Sequence, residues 1–121
     1  MPYAFYKVIH LLGIMMVFLS MGGIMHHVIN GGTKENNVWR KAVAMTHGIG
    51  LLLVIVAGFG LLARLGVSVL SGWVIVKLIV WLIIGGLSGV IYKQPTTAKP
   101  LWFIILILGA VAAYLAGSKP F

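Results

Sequence analysis

The sequence predicts an all-α integral membrane protein, four transmembrane helices in an up-down antiparallel bundle, and three observations carry that prediction. Hydrophobic residues make up 61% of the 121-residue chain and charged residues only 8%, against about 45–50% and about 25% in ordinary soluble domains. Several windows exceed the roughly 18 apolar residues that read as a membrane-spanning helix. The breaks between those windows are short, so the 121 residues form a single transmembrane domain (1–121) with no room for a separate soluble one.

The first span is expected over Tyr3 to Ile29. It is too long for the h-region of a signal sequence and ends without a small-x-small cleavage site, so it reads as a span rather than a leader. A polar connection, Asn30 to Asn37, follows, with Gly31 and Gly32 breaking the helix. The second span is expected over Val38 to Leu65, and Gly66 to Ser71 is a tight, rather apolar turn. The third covers Gly72 to Tyr92. Pro95 and Pro100 bracket a loop from Lys93 to Pro100, and the last span runs from Leu101 to Gly117.

The formal charge of +8 would suggest nucleic acid in a soluble protein. Here the basic residues sit mostly where helices meet headgroups, so a nucleic-acid partner is discounted and membrane lipid expected instead. Four spans put both termini on one side. Lys34, Arg40, Lys41, Lys93 and Lys99 lie on the loop side, against Lys7, Arg64 and Lys119 on the terminal side. The positive-inside rule then turns both termini away from the cytoplasm, in an inner membrane of bacterial type. Trp39, Tyr92 and Trp102 fall near one boundary and Tyr3, Tyr6, Trp73 and Tyr114 near the other, as aromatic belts do. In lipid, helices associate through close contact at small residues. Gly85 with Gly89, the stripe Gly109, Ala113 and Gly117, and the pair Gly58 and Gly60 are the candidates.

The chain has no cysteine, which excludes disulfides, iron–sulfur clusters and thiolate metal sites. Its single acid, Glu35, lies between spans, so there is no intramembrane carboxylate for proton-coupled export of cations. Hydrolysis is also disfavoured, because Ser20, Thr46 and Ser88 can satisfy their own helix carbonyls and no Ser-His-carboxylate set exists.

Lys77 is the most informative position, an ammonium within the apolar run from Gly72 to Ile91, where insertion costs about 3 kcal/mol. It admits three roles: snorkelling along its stem to the interface, ligating a metal as the neutral amine, or holding an acid group as the cation. At about 1.5 Å per residue, His10 and Lys77 lie at matching depth, roughly 10 Å and roughly 8 Å from the terminal-side ends of their helices. Imidazole is the usual axial ligand of a membrane haem, and His10 is read either as such a ligand or as an interhelical hydrogen-bonding group. His47 is a second or alternative ligand. His26 and His27 read as interfacial polar residues, or as members of a cluster with Met25, Met45 and His47. Lys77, Trp81, Ile84 and Ser88 share one helix face, so Trp81 is positioned either to shield a cofactor, or Lys77 by a cation–π contact, or to face lipid.

The segment Tyr6-Lys7-Val8-Ile9-His10-Leu11-Leu12, with Phe18-Leu19-Ser20-Met21-Gly22-Gly23 after it, resembles the first helix of the HemJ protoporphyrinogen oxidase family and its CopD-like and SirB-like four-helix membrane relatives. Gly72-Trp73-Val74-Ile75-Val76-Lys77-Leu78 is similar to the start of that family's third helix. The chain differs in having no tryptophan within Phe18 to Gly22 and no Pro-Arg pair later in the first helix. The resemblance implies a b-type haem associated with His10 and Lys77, and an oxidoreductase activity, either one-electron transfer as in a cytochrome b or a HemJ-like oxidation, with a quinone or a porphyrinogen as partner. A different class of function is copper or other metal-ion transport, for which Met15, Met16, Met21, Met25 and Met45 with the histidines would offer soft ligands. A third is a structural subunit of a membrane complex, and glycine stripes on so small a bundle also suit a homo-oligomer.

Overall fold

A computed structural model describes residues 2–118. It is an all-α four-helix membrane protein: α1 spans Tyr3–Ile29, α2 Arg40–Leu65, α3 Gly72–Lys93 and α4 Ala98–Ser118. Each helix is long and apolar enough to cross a bilayer. The share of each apolar window buried inside the bundle runs from 33% in α1 down to 11% at α4. Most of the apolar surface therefore faces outward and meets lipid.

The helix ends follow the chain's own chemistry. Gly31, at φ 86°, takes the left-handed turn that stops α1, and Gly32 N–H reaches back to the His27 carbonyl at 2.9 Å. Gly66, at φ 69°, does the same for α2, with Val67 N–H on the Leu62 carbonyl at 3.0 Å and the Val67 side chain packed beside Leu62. Two boundaries differ from the sequence expectation. Val38 and Trp39 stay outside α2, Val38 fully exposed, because Asn37 Oδ1 accepts the Trp39 N–H and fixes the chain short of the helix. Pro100 lies inside the first turn of α4 rather than in the loop. A proline is tolerated there because the first turn's N–H groups have no intrahelical partner to lose. A short 3-10 turn, Pro95–Thr97, leads into it.

Helix α1 is the hub of the bundle. It runs closely against α2 over much of its length and also meets α3 and α4. The tightest approach is at Gly13 and Gly50. A Cβ on Gly13 would stand 2.8 Å from the Gly50 carbonyl oxygen, and one on Gly50 would stand 2.9 Å from Met16 Cβ. Gly86 and Gly89 face open space, and Gly85 meets only the end of Leu51. The glycine seam that holds the helices together is thus on α1 and α2, and the Gly85/Gly89 pair expected to form one does not.

Packing is uneven along the bundle. Toward the loops, Met21, Ile24, Met25 and Val28 of α1 join Ile84 and Ile91 of α3 and Ala98 and Ile105 of α4 in one buried cluster. Toward the termini a second, smaller buried cluster joins Leu62 of α2, Trp73 and Val74 of α3 and Leu115 of α4. Backbones of α2 and α3 approach at few points, which leaves space between them.

Candidate functional site

Beside that second cluster lies a partly open cleft of about 650 Å³ lined from all four helices. Lys7, His10, Ile14, Val17 and Phe18 come from α1, at spacings that bring them to one face. Val54, Gly58 and Leu62 contribute from α2, Trp73, Lys77, Trp81 and Ile84 from α3, and Gly109, Ala113 and Gly117 from α4. The lining is almost wholly apolar, with the polar groups gathered toward the terminal end. Phe18 forms the floor: a Cβ on Gly109 would come within 2.8 Å of its ring.

His10 is half-buried, and its Nδ1 lies 2.9 Å from the Val54 carbonyl oxygen. A carbonyl only accepts, so Nδ1 carries the proton and Nε2 keeps its lone pair. The ring can come this close to α2 because Gly58, one turn beyond Val54, has no side chain; a Cβ there would sit 3.3 Å from His10 Cε1. The interhelical bond and the ligand role, alternatives when only the sequence is considered, are compatible in this geometry. A backbone bond at one nitrogen is the arrangement that orients an imidazole for ligation through the other.

Lys77 lines the same cleft, partly buried, and interacts electrostatically with His10. Its Nζ lies 5.9 Å from the centroid of the Trp73 ring. The cation–π partner is therefore Trp73, four residues before it, and not Trp81, four residues after. Helical side chains lean toward the helix N-terminus, which carries a lysine stem to the preceding turn. Trp81 instead faces inward, lines the cleft and donates its indole N–H to the Leu51 carbonyl at 3.0 Å. Of the face read from sequence, Lys77, Trp81 and Ile84 line the cleft together.

His47 is elsewhere. It is 7% exposed, and it is not among the residues lining the cleft. The Ser20 hydroxyl donates to the Val17 carbonyl at 2.8 Å, and its oxygen accepts the His47 Nδ1–H at 3.2 Å. Nε2 stands 3.5 Å from the Gly85 carbonyl on α3. With its proton on Nδ1, the ring ties α2 to α1 and only packs against α3. Ser20 and Thr46 both satisfy helix carbonyls, Thr46 donating to Ala42 at 2.8 Å, as the sequence leads one to expect.

His26 and His27 lie at the loop end, far along α1 from His10. His27 donates Nε2–H to the Thr33 carbonyl and Asn36 Oδ1, at 2.8 and 2.9 Å, and so pins the connection to α2. His26 is exposed beside Asn30. Met25 is buried in the core while Met45 is 63% exposed, so the two do not face one another. No group of three or more His, Asp or Glu side chains converges as a metal site among the described residues.

Sequence reasoning missed Lys7 as a wall of the cleft, Trp73 as the partner of Lys77, and the Gly13–Gly50 crossing. The spacing of Lys7, His10, Ile14 and Val17 contained the signal for the first.

Fold and cleft together define a four-helix integral membrane protein with an apolar cleft between its helices and lysines at one end of it. No family model, curated protein or solved structure matches the chain.

Proposed function

We propose that this is a haem-b-binding membrane protein of electron transfer or HemJ-like oxidation. The observation that supports it best is the His10 ring, its Nδ1–H held by the Val54 carbonyl and its Nε2 left as a ligating atom beside an apolar cleft of about 650 Å³. The residues fit the group: an imidazole with a fixed tautomer, a wall of small side chains at Ala112, Ala113 and Ala116 for a flat ring, and ammonium groups at Lys7 and Lys77 for carboxylates. In this reading His10 would ligate the haem iron, and Lys77 would serve as a second ligand or as the partner of a propionate. Bound haem supplies one-electron exchange at its iron. The chain orients the group, shields it from water and meets its acid groups at the terminal end. A quinone or a porphyrinogen is the proposed partner, from the resemblance of the first and third helices to the HemJ family.

His47, bonded to Ser20, has a structural role in this proposal. Copper transport has less behind it, since Met21 and Met25 are core residues and Met15 and Met45 point outward. The proposed membrane is the bacterial inner membrane with both termini outside the cytoplasm, on the strength of Lys34, Arg40, Lys41, Lys93 and Lys99 at the loop end. Lys119, counted on the other side, lies outside the described residues.

The test is an absorption spectrum of detergent-purified protein made with haem supplied, oxidised and dithionite-reduced. We expect a Soret band that His10→Ala abolishes, Lys77→Met shifts or weakens, and His47→Ala leaves in place. A colourless wild-type protein overturns the proposal.

A further inference from the structure

Beyond haem, the cleft has the shape and charge of a site for a single-chain carboxylate. It runs from Lys7 to Phe18 along α1, eleven residues or roughly 16 Å at the rise of an α-helix. It is long, closed at the floor by Phe18 against Gly109, and apolar along its walls. At its terminal end stand Lys7, which is exposed, and Lys77. The single acid of the chain, Glu35, lies in the connection between α1 and α2 at the opposite end of the bundle. The cleft therefore presents two amines and no acid in its lining, and it complements an acid group carried on an apolar chain.

We infer that the cleft takes a long-chain fatty acid from the surrounding membrane, its carboxylate held between Lys7 and Lys77 and its chain laid along Ile14 and Val17 to Phe18. This does not depend on the haem reading. Fatty acid and haem share the chemistry of a carboxylate on an apolar body, so the two compete for the same space. Lys7 becomes an anion-recognition residue in its own right, and Lys77 has a use that requires no metal.

Trp73 and Trp81 line the cleft, which provides the readout. In phosphatidylcholine nanodiscs, a variant with Trp39→Phe and Trp102→Phe retains only those two indoles. Dibrominated stearic acid should quench them saturably, and its methyl ester should bind about tenfold or more weakly, the loss expected when a charged hydrogen bond is removed. Lys7→Gln, at an exposed position where folding is not at stake, should weaken the acid and leave the ester unchanged; adding Lys77→Gln should bring acid and ester level. Acid binding is read on protein made without added haem and the Soret band on protein made with it, so failure of the haem proposal and failure of this one are distinguishable. Equal, unsaturable quenching by acid and ester, or an unchanged acid affinity in Lys7→Gln, overturns the inference.

Discussion

Two histidines on the α1–α2 pair both donate through Nδ1, and the difference lies in their surroundings. His10 gives its N–H to a backbone carbonyl and belongs to the cleft lining. His47 has a hydroxyl at one nitrogen and a carbonyl near the other. The Ser20–His47 bond is worth about 1 kcal/mol in a membrane interior. Ser20→Ala should therefore lower stability by about that amount in mixed-micelle unfolding. Combining it with His47→Leu should recover part of the loss, because removing both partners of a buried pair leaves no unsatisfied group. A double variant less stable than the sum of the two single ones would show that the pair does more than tie α1 to α2.

At the scale of helices, glycine position matters more than glycine number. Gly13 meets the Gly50 backbone at a distance no side chain tolerates, whereas Gly89 faces open space. Gly13→Leu should cost about 2 kcal/mol or more by forcing α1 and α2 apart, while Gly89→Ala should be neutral or stabilising by about 0.5 kcal/mol through helix propensity. Thermal or mixed-micelle unfolding of both variants checks the pair. This contrast also marks what is legible in the sequence. Span number, the Gly31 and Gly66 stops and the matching depth of His10 and Lys77 follow from apolar length and helix rise, so they can be read directly. The Gly13 seam and the facing of Trp81 cannot, because a helix that is apolar all round has no polar stripe to say which side turns inward. Pro100 escapes the reading for a related reason: proline breaks a helix in its interior but fits its first turn.

For the whole molecule, charge is divided between the two ends. Lys34, Arg40, Lys41, Lys93 and Lys99 gather at the loops, and Asn37 Nδ2 donates to the Tyr92 hydroxyl at 3.0 Å, joining the first connection to the end of α3. The proposed orientation is directly testable because the chain has no native cysteine. In spheroplasts, a single cysteine at Ser68 should react with an impermeant maleimide, and one at Asn36 should react only after the membrane is opened. The reverse pattern would invert the topology.

The uneven packing also bears on how the protein is made. The α1–α2 pair shares the most extensive and most local interface, so the first two spans to leave the ribosome can close on each other as a hairpin before α3 and α4 arrive. The cleft, however, draws its walls from both hairpins. A ligand of either proposed kind would be enclosed only once the second hairpin docks on α1, which would make loading a late step of biogenesis and let an occupied cleft hold the two halves together.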